Sequence, residues 1–112
     1  MSARIETWLW LLQRASAAVL ALAVAVHLVT IIYAVRHGLT AAAILSRTVG
    51  NPWWLGFYLV FAAAAALHAG IGLRVIARET LGWRGRSLDG AAALAALLLL
   101  AAGWRAAFGL FA

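Results

Sequence analysis

Two histidines stand inside long apolar stretches of this sequence, where an ionisable side chain is costly. His27 lies in the middle of the first stretch, and His68 lies toward the end of the second. An ionisable residue at membrane depth indicates a functional site by default. The options are a proton relay, a substrate site, an axial ligand for heme iron, or a plain hydrogen bond between two helices.

The acidic residues of the chain do not favour a proton relay. All three lie outside the apolar stretches: Glu6, Glu79 and Asp89. A relay normally uses carboxylates along its path, whereas neutral imidazole is a common ligand for heme iron. Arginine pairs well with heme propionates, and Arg74 follows His68 by six residues while Arg36 follows His27 by nine. Simple anchoring at the membrane interface explains either arginine equally well.

The apolar stretches that carry these histidines have the length of membrane spans. They run at about 16–35, 53–73 and 91–111, in a chain with 67% hydrophobic and 11% charged residues. About 20 apolar residues are needed to cross a bilayer as a helix. We therefore predict an all-α membrane protein, a single anchor domain over residues 1–112 with three transmembrane helices. The segment 39–49 is predicted to form a short interfacial helix.

The distribution of arginine predicts how the helices are oriented. Most of the nine basic residues flank the first span on its N-terminal side or follow the second span: Arg4, Arg14, Arg74, Arg78, Arg84 and Arg86. The positive-inside rule then places the N-terminus and the second loop in the cytoplasm, in a multi-pass protein of the inner (plasma) membrane. The arginines interrupt apolar runs and do not form a stripe, which indicates contact with membrane lipids and not with nucleic acid.

Depth in the membrane separates the two histidines. His27 is ~18 Å from the cytoplasmic start of its helix, and His68 is ~10 Å from the cytoplasmic end of its own helix, at 1.5 Å per residue. They are therefore predicted to serve two different hemes, each with an opposing ligand from a partner chain. His37, at the outer end of the first helix, is expected to be an exposed loop residue and not an iron ligand. The small residues between Ala62 and Gly72 either pack helices closely or leave room for a flat macrocycle.

The second span resembles a known family. Residues 68–74 read His-Ala-Gly-Ile-Gly-Leu-Arg, and Glu79 follows. This resembles the signature H-x-x-x-G-x-R of succinate dehydrogenase cytochrome b subunits, in which an acidic residue lies eleven positions after the histidine. The resemblance implies that His68 is an axial ligand of heme b. Val75 stands where the family often has another histidine beside a propionate.

The first span resembles the same family. The run from Gln13 to Ser16, followed by an apolar stretch to His27, is similar to the first helix of di-heme fumarate reductases. In those proteins the first-helix histidine binds the heme farther from the catalytic subunits. Arg14 and Ser16 also resemble the H-R-x-S-G opening of mono-heme succinate dehydrogenases, with Gln13 in place of the histidine and Ala17 in place of the glycine. In those proteins the arginine lies near the quinone and a heme propionate, so Arg14 and Ser16 are expected to bind quinone. A hydrogen bond from Ser16 to the backbone of its own helix is an equally good explanation of that residue.

Taken together, the resemblance implies a membrane anchor of a succinate dehydrogenase or fumarate reductase that carries electrons between an iron–sulfur subunit and quinone. Two b hemes would be shared with a second membrane anchor subunit, and dicarboxylate chemistry would take place on a flavoprotein subunit. The alternatives are a b-type cytochrome of another membrane dehydrogenase and a heme-free structural anchor. A small multidrug-type transporter is disfavoured because the sequence predicts three helices and no buried carboxylate.

Overall fold

The computed structural model describes residues 2–112, and this part of the chain forms four helices. They are α1 (Ala3–His37), α2 (Ala41–Thr48), α3 (Pro52–Leu81) and α4 (Arg86–Phe111). Of these, α1, α3 and α4 are long and apolar enough to cross a membrane. The predicted fold class, an all-α membrane protein with three transmembrane helices, is confirmed.

The long helices extend past the predicted spans at one end of the bundle. Here α1 begins at Ala3, α3 continues to Leu81, and α4 begins at Arg86. We call this the arginine-rich end, because six arginines lie in or near these extensions: Arg4, Arg14, Arg74, Arg78, Arg84 and Arg86. Counting apolar residues identifies only the part of a helix that lies in hydrocarbon. Capping and turn residues determine where the helix ends.

Local capping explains these helix ends. The side chain of Ser2 accepts a hydrogen bond from the Ile5 N–H at 3.3 Å, and Glu6 stands in the first turn of α1. A carboxylate there is stabilised by the positive end of the helix dipole. Gly82 ends α3 in the left-handed conformation, with a φ of 67° that side chains other than glycine rarely adopt.

The short helix α2 lies at the opposite end of the bundle, which we call the α2 end. Thr40 caps it by accepting a hydrogen bond from the Ala43 N–H at 3.1 Å. Its bounds lie within the predicted interfacial segment 39–49. The Gly50 N–H donates to the Phe111 carbonyl at 2.9 Å, which ties the chain after α2 to the end of α4.

Helix α3 packs against both α1 and α4. The α3–α4 contact is close because glycine faces alanine at two levels. A Cβ atom at Gly70 would lie 2.8 Å from the Cβ of Ala96, and one at Gly103 would lie 2.6 Å from the Cβ of Ala62. At these positions the small residues serve close packing between helices, which was one of the two alternatives left open by the sequence.

The outer faces of the three long helices are apolar and exposed. Large side chains such as Leu22, Trp53 and Leu98 contribute to this surface. A surface of this kind is covered by lipid or by other transmembrane helices. The bundle therefore has ample apolar area for contact with further membrane subunits.

Candidate functional site

His68 faces α1 across the seam between α1 and α3, where Ser16 is its hydrogen-bond partner. Ser16 Oγ lies 3.2 Å from His68 Nδ1 and 3.0 Å from the carbonyl oxygen of Gln13. The carbonyl can only accept, so the hydroxyl proton of Ser16 goes to Gln13 and its oxygen accepts from His68. This network assigns the ring proton of His68 to Nδ1. The lone pair is then on Nε2, an atom with which imidazoles bind metals.

The surroundings of His68 are buried and contain an unsatisfied acceptor. Ser16 is only 4% exposed. Gly72, one turn after His68, leaves room for Gln13, because a Cβ atom there would lie 3.4 Å from Gln13 Nε2. The other amide atom, Gln13 Oε1, is buried and has no hydrogen-bond partner within residues 2–112. A buried acceptor without a partner is uncommon in a protein interior.

His27 lies on the same seam, against aromatic side chains of α3. Its ring makes edge contacts with Tyr58 and Phe61, with centroids 5.8 Å and 5.4 Å away. The Tyr58 hydroxyl is 3.5 Å from His27 Nδ1, the outer limit of a hydrogen bond. Tyr58 was not predicted from the sequence as a partner of His27. Once Ser16 is opposite His68, antiparallel register brings Tyr58 to the level of His27.

The two histidines are too far apart to ligate one metal ion. His68 is level with Ser16, and Ser16 precedes His27 by eleven residues of one continuous helix, which is ~16 Å at 1.5 Å per residue. No group of three or more histidine, cysteine, aspartate or glutamate side chains suited to a metal ion occurs in the described part of the chain. The two histidines are therefore two separate candidate ligands.

A cavity of about 830 Å³ opens beside His27, toward the α2 end. Its size is in the range of pockets that hold cofactors and other small molecules. We call it the α2 cavity. Most of its wall is apolar, and its polar and aromatic lining residues are His27, Thr30, Tyr33, Arg47, Thr48, Trp54 and Tyr58. Among these, only His27 was a site residue in the sequence analysis.

Arg14 and Arg36, two of the predicted site arginines, lie on exposed faces of α1. The guanidinium carbon of Arg14 is 5.1 Å from the centroid of the Trp10 ring. Arg36 follows His27 by nine residues, about two and a half turns, and therefore lies on the opposite face of α1. It does not line the α2 cavity.

Arg74 ties the three long helices together at the arginine-rich end. It is 8% exposed, and its Nη2 lies 2.8 Å from Glu6 Oε1 on α1 while its Nε lies 2.8 Å from Asp89 Oδ1 on α4. Arg78 also contacts Glu6, at 3.4 Å. Both carboxylates were predicted to lie outside the apolar stretches, but not as partners of Arg74. The ion cluster of Glu6, Arg74 and Asp89 is thus a structural element close to the His68 site.

Comparison with known proteins identifies the family. The sequence profile described as "Succinate dehydrogenase/Fumarate reductase transmembrane subunit" matches residues 1–104. No match was found among curated proteins or solved structures. The matched region contains α1, α2, α3 and most of α4, and the family is the one that the sequence resembles. This multi-pass membrane protein therefore belongs to the succinate dehydrogenase/fumarate reductase transmembrane subunit family.

Proposed function

We propose that this chain is a heme b-binding anchor subunit that carries electrons between an iron–sulfur subunit and quinone. The observation that supports it most directly is the contact between Ser16 and His68. A metal-binding histidine typically donates its second ring N–H to a nearby acceptor, which fixes the tautomer and the ring orientation. Ser16 accepts from Nδ1 in this way, so Nε2 of His68 is prepared to bind iron.

His68 and His27 are the proposed axial ligands of two hemes, each facing an opposing ligand from a second anchor subunit. Bound heme supplies a one-electron carrier whose potential is set by its ligands and surroundings. Tyr58 and Phe61 restrict the ring of His27 by their edge contacts. Arg74 stays a proposed contact for a propionate, shared in that case with Glu6 and Asp89.

The arginine-rich end is the proposed docking surface for the iron–sulfur subunit. Arg78, Arg84 and the ion cluster line a surface pocket of about 460 Å³ there. The positive-inside rule favours the cytoplasmic side of the inner (plasma) membrane for this end. The flavoprotein subunit, on which dicarboxylates react, would then attach through the iron–sulfur subunit.

Arg14 is the better placed of the two predicted quinone residues. Its guanidinium is exposed on α1 near the arginine-rich end and can donate to a quinone oxygen as negative charge develops there. The hydroxyl proton of Ser16 is engaged by the Gln13 carbonyl. Ser16 therefore suits a positioning role toward His68 more than donation to quinone.

Replacing Ser16 with alanine is expected to weaken heme binding at His68 by about 10- to 100-fold, the usual effect of removing a partner of a metal-binding histidine. The measurement is titration of heme into heme-depleted complex, followed by the reduced visible spectrum. Ser46→Ala is the matched control, because Ser46 is exposed on α2 and bonds only to its own helix at the Ala43 carbonyl. Equal heme affinity in the two variants would contradict the positioning role.

The proposed function is tested by a dithionite-reduced minus oxidised spectrum of the purified complex, with a heme-to-flavin ratio. We expect a b-type spectrum with two hemes per flavin. One heme per flavin would leave a single histidine as ligand. A b-type spectrum without a flavoprotein of the expected activity would indicate another membrane dehydrogenase, and absence of heme would leave a structural anchor.

A further inference from the structure

Arg47, in the last turn of α2, is held beside the α2 cavity by contacts with α1 and its cap. Its Nη2 donates to the Gly38 carbonyl at 3.4 Å, and its Cζ lies 5.1 Å from the centroid of the Tyr33 ring. The side chain is half-buried. Guanidinium stays charged under such conditions and is stabilised over an aromatic face. A permanent cation therefore lines a mostly apolar cavity.

Within residues 2–112, no salt bridge joins Arg47 to an aspartate or glutamate side chain. In residues 2–112, the aspartate and glutamate side chains stand at the arginine-rich end, in the first turn of α1, near the end of α3 and in the first turn of α4. A partly buried charge is costly unless it is paired. An anionic group of a bound molecule is the natural partner for Arg47 in this cavity.

His27 provides a second polar group in the same cavity. Tyr33, which carries Arg47 over its ring, follows His27 by six residues of α1, or ~9 Å along the helix. Apart from Thr30 the wall between them is apolar, and Trp54 and Tyr58 contribute flat aromatic surface. An imidazole at one level and a cation about two turns away match a flat, apolar molecule with a metal at its centre and carboxylates along one edge.

We infer that Arg47 is the cation that pairs with the propionate carboxylates of the heme bound by His27. This inference rests on the proposed function. Arg36, which sequence spacing suggested for this role, lies on the opposite face of α1 and outside the cavity. Helix α2 is then part of the heme site, because it carries the side chain that completes it.

The test compares Arg47→Gln with Arg36→Gln in the intact complex, by redox titration of the heme that is lost in His27→Ala. Removing a nearby cation favours the oxidised, more positive iron. In Arg47→Gln we expect the equilibrium constant for reduction of that heme to fall about tenfold. This corresponds to a decrease of about 59 mV in its reduction potential for a one-electron couple. Arg36→Gln should leave the potential unchanged. Arg47→Lys keeps the charge, so its potential should lie close to that of the wild type.

Two results would overturn the inference. The first is a His27-dependent heme whose potential is the same in Arg47→Gln and in the wild type. The second is an equal decrease in Arg47→Gln and Arg36→Gln, which would indicate a general effect of surface charge. In the first case, loss of co-purified anionic phospholipid from Arg47→Gln would assign Arg47 to a lipid headgroup. If His27→Ala loses no heme at all, the proposed role of His27 fails as well, and the titration distinguishes this case.

Discussion

Replacing His68 with alanine is expected to remove one b heme from the purified complex and to leave the other in place. Alanine has no atom that can bind iron, and it also leaves Ser16 Oγ without the N–H that it accepts. The heme-to-flavin ratio should therefore fall from two to one, and the remaining heme should keep its absorption band and potential. The measurement is the reduced minus oxidised spectrum together with a flavin assay.

His27→Ala and His37→Ala complete the series. Because His27 and His68 occupy levels ~16 Å apart on one seam, His27→Ala should remove the heme that His68→Ala retains. His37→Ala is the control. His37 is exposed at the last residue of α1 and stacks on Tyr33 with centroids 4.1 Å apart, so both hemes should remain. Loss of the same heme in His27→Ala and His68→Ala would contradict the assignment of two separate sites.

The three spans could be predicted from the sequence because each is a long apolar segment, and a bilayer imposes that length. The helix ends could not be predicted in the same way. The extension of α1 back to Ala3 depends on the Ser2 cap and on the pairing of Glu6 with Arg74, a contact between residues far apart in sequence. Hydropathy carries no information about either contact.

Only the candidate site residues that share one helix could be recognised from their spacing in the sequence. His68, Gly72 and Arg74 share one helix, so their pattern is visible in the sequence. The partners of His68 and His27 lie on a neighbouring helix, and their identity depends on the register of α1 against α3. Helical geometry alone places Arg36 on the face of α1 that points away from His27. Arg47 reaches the cavity only because α2 folds back at Gly38, which no spacing rule gives.

The ion cluster at the arginine-rich end carries the second large expected effect. Arg74 is nearly buried and donates to Glu6 and Asp89, whose side chains are about one-third exposed. Arg74→Gln would leave two carboxylates close together at the starts of α1 and α4 without the cation between them. Water can reach these carboxylates, which reduces the penalty below that of a fully buried pair. We expect a loss of about 2–3 kcal/mol in the free energy of unfolding, comparable with the loss of hydrogen bonds to charged groups.

Unfolding of the purified complex by a denaturing detergent, followed by loss of helicity, measures this effect. Arg78→Gln is the matched control, because Arg78 is more exposed and contacts Glu6 at 3.4 Å. Arg78→Gln should lower the free energy of unfolding by less than about 1 kcal/mol, as for other exposed ion pairs. Equal destabilisation by the two variants would contradict the special role of Arg74. The same samples separate the two roles of Arg74. If Arg74 holds the helices together, Arg74→Gln lowers the unfolding midpoint. If Arg74 contacts a propionate, Arg74→Gln changes the potential of the His68 heme in the folded complex.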